Sequence, residues 1–282
     1  MDKISELLQK VDALPASPAL LPKLAHSLRN INNTNVDEVV DIIMFDSSLT
    51  AKLLQIANSA YFGNATQLTN VGDAISQVGY DAVYLLAASI TGESCLKPAP
   101  GTGLDAVLLW KHSVTTAFGA QHIARAAGLD GNLVFTAGLL HDLGKVVFAG
   151  AHGKDYTRMF DPAQRGPLSL IEWEKAQYGF DHAELGAALL KRWKLPATIV
   201  AAVRFHHQLS AVGESAPLAA CIYLGNILSR ALEQPSFTLD PTTPGLQPAV
   251  QLVNLTVVDL DDQLNRIRQN WEFVQNLCEL RR

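Results

Sequence analysis

The sequence predicts an all-α protein made of two packed helical lobes. Apolar residues recur every three or four positions through almost the whole chain, whereas the period-two alternation of strands is scarce. Hydrophobic residues make up 48% of the 282 positions and charged residues 17%, which provides a large core and excludes a disordered chain. A proline- and glycine-rich stretch at 97–103 predicts the boundary between the lobes.

The first lobe, 1–97, is predicted to contain five or six short helices. Asparagine-rich stretches at 30–35 and 64–70 interrupt the periodicity and separate neighbouring helices. Four helical segments have a clear apolar face, and they are 18–29, 36–45, 49–60 and 81–95.

The second lobe, 104–233, is predicted to be helical throughout. Its segments with helical periodicity are 104–127, 133–149, 169–178, 182–193, 197–207 and 217–232. The remaining part, 234–282, is predicted to be a loop to about 247 and then an amphipathic helix. The apolar stripe of that helix is Leu260, Leu264, Ile267, Trp271, Val274 and Leu277. A stripe of this kind docks onto its own domain or forms the seam of a homodimer.

Composition excludes several classes of partner. The formal net charge is -5 and no basic cluster occurs, so binding to nucleic acid is not expected. The three cysteines are far apart and form no CxxC pair, as in proteins of a reducing compartment. The N-terminus lacks an apolar signal region, and no stretch is expected to reach the roughly 20 apolar residues of a membrane span. A cytoplasmic protein without a membrane partner is therefore predicted.

His141 and Asp142 stand side by side within a strongly apolar segment, and they are the strongest indication of chemistry. A buried charge needs a counter-group, and a divalent transition metal is one such group. Imidazole and carboxylate ligands discriminate poorly among Fe, Mn, Ni and Zn. A buried His–Asp hydrogen-bonded pair is the alternative. Further candidate ligands on other predicted helices are His112, His182, His206 and His207.

Several polar positions of the second lobe have structural alternatives. His182 and His207 either complete a second metal position or serve at helix ends, because Asp181 begins a periodic segment and is itself a good N-cap. Lys145 either extends along the surface or contacts phosphate as a cation. Glu174 is expected to form a salt bridge or cap rather than to act as a base. Adjacent histidines on a helix diverge, so His206 is the weakest ligand candidate.

Several blocks of the first half are typical of one family. They are Leu14-Pro15-Ala16-Ser17-Pro18, the turn Asp46-Ser47-Ser48-Leu49-Thr50, the block from Leu53 to Gly63 that includes Asn58, Ser59, Tyr61 and Phe62, and Ala74-Ile75 with Val78-Gly79. In the second half, the matching positions are His112, His141-Asp142, Glu174, Gly179, His182, Gly186, Trp193-Lys194-Leu195-Pro196 and His206-His207. Over about 14–232 the chain resembles the HDOD (HD-related output domain) family of the HD superfamily of metal-dependent phosphohydrolases.

This resemblance implies a two-lobed helical fold with an HD-like second lobe and a role in signalling or regulation. It implies metal ligands at His112, His141, Asp142, His182, His206 and His207, and a catalytic or phosphate-binding Lys145. The chain departs from active HD enzymes at Asn226, where the resemblance places a final aspartate. It also lacks the Gly-Tyr-Pro block of cyclic-dinucleotide phosphodiesterases after His207.

Three functional hypotheses follow. The first is a cytoplasmic signal-transduction module that binds a protein partner or a small phosphate-containing ligand and retains a metal site. The second is a metal-dependent phosphohydrolase acting on a small phosphate ester or nucleotide, with Lys145 as an additional cation. The third is a scaffold whose histidines are vestigial.

Overall fold

The computed structural model describes residues 3–10, 20–27, 36–58, 62, 67–160, 168–209, 213–233 and 239–279. Within these ranges the chain is helical and forms no strand, so the all-α prediction is confirmed. The family-typical block 14–18 and the residues Ser59, Tyr61 and Gly63 lie outside the described part of the chain.

The first lobe contains six described helices. They are α1 (Lys3–Lys10), α2 (Leu20–Ser27), α3 (Val36–Met44), α4 (Ser47–Ala57), α5 (Val71–Val78) and α6 (Tyr80–Cys95). Asn58 ends α4 by accepting a hydrogen bond from the backbone N–H of Leu68 at 2.7 Å and donating to the Leu68 carbonyl at 2.9 Å. This pairing closes the segment between α4 and α5, which accounts for an asparagine at this position.

The second lobe surrounds the candidate ligands. Its helices are α7 (Ala106–Ala126), α8 (Gly131–Leu140), α9 (Leu143–His152), α10 (Lys154–Thr157), α11 (Leu170–Tyr178), α12 (His182–Arg192), α13 (Ala197–Phe205) and α14 (Ala216–Glu233). Three further helices follow, namely α15 (Leu246–Leu252), α16 (Val257–Gln269) and α17 (Trp271–Cys278).

Side-chain caps determine where the helices around the site begin. Asp130 accepts hydrogen bonds from two N–H groups at the start of α8. Ser169 and Glu172 form a capping box at α11, and Asp181 and Glu184 form another at α12. The cap of α12 is therefore Asp181, which leaves the side chain of His182 available for other contacts.

Two predicted helices are interrupted in the structure. The predicted helix 133–149 is divided into α8 and α9 by a turn at His141 and Asp142, and the predicted C-terminal helix is divided into α16 and α17 at Asn270. In both cases the apolar periodicity continues across the turn. Helices α8 and α9 are almost entirely buried, and α16 and α17 each pack one face against the rest of the protein. Periodicity alone does not reveal such a break.

One hydrophobic core extends through both lobes. It contains Leu21 and Leu53 of the first lobe together with Phe135 and Leu190 of the second. Helix α6 connects the two, since it packs against α4 and α8 and its Tyr84 hydroxyl lies 2.8 Å from the Thr136 hydroxyl. The division into 1–97 and 104–233 therefore stays a prediction about sequence units.

The segment Gly131–His152 is long and apolar enough to cross a membrane, contrary to the expectation from composition. However, 83% of its most apolar window is buried inside the protein. Because a core helix of this kind passes the same test, its burial accounts for its apolar character.

The C-terminal apolar stripe packs on the body of its own chain. Leu260, Ile267 and Leu277 are fully buried, and the indole N–H of Trp110 in α7 donates to the carbonyl of Leu277 at 3.1 Å. This docking accounts for the stripe without a second copy, and a homodimer stays an untested prediction.

Candidate metal site

His141 and Asp142 lie in the turn between α8 and α9, and not inside a helix. On a continuous helix their side chains would point about 100° apart. The turn directs both into one buried pocket, where each is at most 1% exposed. The Nδ1 of His141 lies 2.6 Å from the carbonyl of Gly138, so Nδ1 carries the proton and donates it. The lone pair of His141 Nε2 is therefore available to a ligand.

His206 and His207 also lie in a turn, directly after α13. This turn lets both adjacent histidines join the cluster, with ring centroids 3.9 Å apart. The Nδ1 of His206 lies 2.6 Å from the carbonyl of Val203, which repeats the arrangement at His141 and leaves Nε2 unprotonated. The two turns thus present the same imidazole atom towards the same pocket.

The structure brings together the six predicted ligands as two adjacent groups. One group is His112, His141 and Asp142, and the other is His182, His206 and His207. Within each group, the ligand atoms lie within 4.8 Å of one another. The rings of His141 and His206 have centroids 5.0 Å apart, and Asp142 Oδ1 lies 3.3 Å from His182 Nε2. Asp142 therefore faces both groups.

The distances between ligand atoms match those around a metal ion. Asp142 Oδ2 lies 3.4 Å from His141 Nε2 and 3.6 Å from His112 Nε2. The Nε2 atoms of His182 and His207 are 3.1 Å apart. Two atoms that each lie about 2.1 Å from an ion are about 3.0 Å apart in octahedral and about 3.4 Å apart in tetrahedral coordination. The donor atoms of each group could therefore hold a divalent ion.

Two ring nitrogens in the pocket make no hydrogen bond to any described residue. They are His141 Nε2 and His206 Nε2, both fully buried. Burial lowers the pKa of His141 to about 4 and that of His206 well below its usual range. Both imidazoles are therefore neutral at pH 7, which is the form that binds metal.

Asp142 and His182 are the charged members of the cluster. Burial acts to raise the pKa of Asp142, but His141 and Lys145 outweigh it and hold the pKa well below the usual value. Burial likewise acts to lower the pKa of His182, but the Glu174 carboxylate outweighs it and the pKa rises to about 9. A metal ion at His182 Nε2 would displace a proton from that atom.

One side of the cluster is accessible to solvent. The His112 side chain is 23% exposed and the Lys145 side chain is 19% exposed, with the Lys145 ammonium 2.6 Å from Asp142 Oδ2. Ser229 of α14 is fully buried behind the ring of His112, since its hydroxyl lies 3.4 Å from His112 Nδ1 whereas Nε2 faces Asp142. Asn226 lies one turn earlier on α14, and its backbone carbonyl accepts from the Ser229 hydroxyl at 2.9 Å.

No role was assigned from the sequence to two residues that shape this site, Tyr156 and Gly144. The Tyr156 hydroxyl donates a hydrogen bond at 2.7 Å to Oε1 of Glu174, whereas His182 contacts the other carboxylate oxygen, Oε2. A Cβ atom on Gly144 would overlap the carbonyl oxygen of His182, so only glycine allows α9 to approach α12 this closely. The His-Asp-x-Gly spacing indicates the glycine, whereas no local signal in the sequence indicates Tyr156.

Comparison with known proteins found a family model and relatives that match this chain. A family model described as the HDOD domain matches residues 14–209. A protein of Treponema pallidum that has no assigned function is 28% identical over 271 residues, which is 94% of this chain and 50% of the relative. The chain thus spans half the length of that relative.

Two solved structures share the fold. An HDOD domain protein of unknown function from Geobacter sulfurreducens has a TM-score of 0.78 and 25% identity, covering 99% of this chain and 97% of the other. A Marinobacter aquaeolei protein, provisionally named as acting in signal transduction, has a TM-score of 0.78 and 21% identity, covering 99% of this chain and 65% of the other. At that identity, the second comparison supports the fold alone.

Proposed function

Since the chain belongs to the HDOD domain family, we propose that it is a signal-transduction module that responds to a divalent metal ion. The module acts by binding a protein partner or a small phosphate-containing ligand. One observation carries this proposal, namely the two groups of buried and half-buried residues whose ligand atoms lie within 4.8 Å of one another.

The ligand positions explain how an ion would act as a signal. The six ligands come from α7, the turn after α8, the start of α12 and the turn after α13. An ion held there joins four segments that are distant in the sequence and stabilises the conformation in which they converge. A ligand present at 100 times its Kd stabilises the binding conformation by about 2.7 kcal/mol. This free energy is available to favour one arrangement of the domain over another.

Each polar residue of the pocket would have its own role when an ion is bound. A divalent ion, when bound, supplies Lewis acidity and lowers the pKa of water. Asp142 contributes the negative charge that balances the ion, and the neutral imidazoles of His141 and His206 contribute lone pairs. Lys145, on the accessible side, neutralises Asp142 and provides a cation for an oxygen of a phosphate ligand.

The residue types that α14 presents near His112 favour regulation over hydrolysis. The group beside His112 Nδ1 is the hydroxyl of Ser229, and the position one turn earlier is Asn226. Neither residue supplies a negative charge to balance an ion.

A metal-dependent phosphohydrolase is the second candidate function, and Lys145 is the observation that favours it. Its ammonium lies within 2.6 Å of Asp142 on the side of the pocket that solvent reaches. A cation at that position is placed to contact a phosphoryl oxygen of a substrate entering from the same side.

Metal titration combined with a hydrolysis assay tests the proposal. We expect the chelator-treated protein to bind Zn²⁺ or Mn²⁺ in isothermal titration calorimetry, to gain thermal stability, and to hydrolyse a chromogenic phosphate ester no faster than buffer. His141→Ala removes one ligand and should abolish tight binding, whereas His152→Ala, outside the cluster, should leave it unchanged. Absence of metal binding to the wild type would refute the metal-responsive module. Rapid turnover that is lost in His141→Ala would support the hydrolase instead.

Restoring a carboxylate at position 226 should strengthen the site. We expect Asn226→Asp to tighten metal binding about tenfold or more, because a carboxylate stabilises a divalent cation in a low-dielectric pocket far more than an amide does. Competition against a fluorescent chelator measures the change, and Asn254→Asp, at an exposed position outside both ligand groups, is the matched control. Equal affinity in the wild type and Asn226→Asp would show that position 226 does not contribute to the ion's environment.

A further inference from the structure

A buried carboxylate lies directly behind His182, on the side of the ring away from the candidate metal position. Glu174 is fully buried and comes from α11. Its Oε2 lies 2.7 Å from His182 Nδ1 and accepts from the backbone N–H of His182 at 2.8 Å. Its Oε1 accepts the hydroxyl proton of Tyr156 at 2.7 Å. Three donors thus hold this carboxylate in one orientation.

The hydrogen-bond acceptor at Nδ1 distinguishes His182 from His141 and His206. His141 and His206 donate Nδ1–H to neutral backbone carbonyls, of Gly138 and Val203 respectively. His182 instead donates to a carboxylate. A carboxylate behind an imidazole fixes the orientation of the ring and strengthens its other nitrogen as a metal ligand, which a neutral carbonyl does less effectively.

We propose that Glu174, oriented by Tyr156, is a positioning residue that aims His182 Nε2 at the metal position between Asp142 and His207. The proposal rests on the proposed function, since it takes His182 as a metal ligand. It assigns to Glu174 and Tyr156 the role of fixing the orientation and the ligand strength of His182. Nε2 of His182 lies 3.3 Å from Asp142 Oδ1 and 3.1 Å from His207 Nε2, so its direction affects both ligand groups.

A role limited to folding is the alternative, because Glu174 also accepts the backbone N–H of His182 at the start of α12. That helix already begins with the capping box of Asp181 and Glu184. The start of α12 therefore does not depend on Glu174 alone. The experiment must nevertheless use a readout that loss of stability would not change.

Glu174→Gln separates charge from shape. The glutamine carbonyl accepts from His182 and its amide donates to the oxygen of Tyr156, so the fold is retained while the negative charge is lost. We expect affinity for Zn²⁺ to fall about 10- to 100-fold in calorimetry. The Nδ1–H proton of His182, strongly deshielded by a carboxylate, should move upfield in ¹⁵N-resolved NMR of the chelator-treated protein. Glu172→Gln, on the same helix and exposed, keeps its capping box and should change neither readout.

Tyr156→Phe is the second variant and keeps the proposal testable if Glu174→Gln fails to fold. It removes only the hydroxyl that orients Glu174, and we expect a several-fold loss of Zn²⁺ affinity with the charge of Glu174 intact. Wild-type affinity in both variants, or an unmoved Nδ1–H resonance in Glu174→Gln, would overturn the proposal. If the wild type itself binds no Zn²⁺, the proposed function fails, and the NMR comparison alone decides whether Glu174 orients His182.

Discussion

Replacing Asp142 with asparagine is expected to abolish tight metal binding in both ligand groups. Its Oδ2 faces His141 and His112 while its Oδ1 faces His182, so one substitution weakens both groups. Loss of a supporting residue costs 10- to 100-fold in metal affinity, and loss of a direct ligand that carries the charge should cost at least about 100-fold. Zn²⁺ and Mn²⁺ affinities from calorimetry or chelator competition measure the effect.

The asparagine variant should keep its fold, because the side chain has the same shape. Lys145 loses its ion-pair partner, but its partly exposed ammonium can turn to solvent. Asp155→Asn is the matched control, since Asp155 pairs with Arg158 at 3.0 Å on an exposed surface. Retention of wild-type metal affinity in Asp142→Asn would contradict the placement of Asp142 between the two groups.

Replacing Gly144 with alanine is expected to produce the largest loss of stability. The new Cβ would overlap the carbonyl oxygen of His182 and lie 2.9 Å from the backbone nitrogen of Gly186, and backbone atoms cannot rotate away. Overpacking of this kind costs about 3 kcal/mol of the free energy of unfolding. Because α9 carries Lys145 and begins directly after Asp142, displacement of α12 should also weaken metal binding. Urea denaturation and metal titration measure the two effects.

Alanine substitutions at two other glycines provide comparisons for this result. A Cβ on Gly186 would lie 3.1 Å from the nitrogen of Gly144, so Gly186→Ala should have an intermediate effect. Gly72→Ala on α5 meets only the side chain of Asn70, at 3.3 Å, and should leave stability near that of the wild type. Equal stability of the Gly144 and Gly72 variants would show that the close contact of α9 and α12 is not required.

The sequence by itself determined the helical class and the identity of the candidate ligands. Helical periodicity is a local property that each segment carries without its neighbours, and the absence of strands among the described residues follows from it. The HDOD resemblance depended on residue types at fixed spacings, and the family match confirmed it. His112, His141 and Asp142 were recognisable on the same basis, before any distance was known.

Only the tertiary structure decided how these residues meet. The turn at His141 and Asp142 lies within an apolar segment whose pattern predicted one continuous helix, and the turn after Phe205 lets His206 point inward beside its neighbour. Tyr156 behind Glu174 had no sequence signal at all. These contacts join residues that are far apart in the chain, and they depend on how closely helices such as α9 and α12 can pack. Local helix propensity contains no information on the distance between packed helices, so only the tertiary structure determines it.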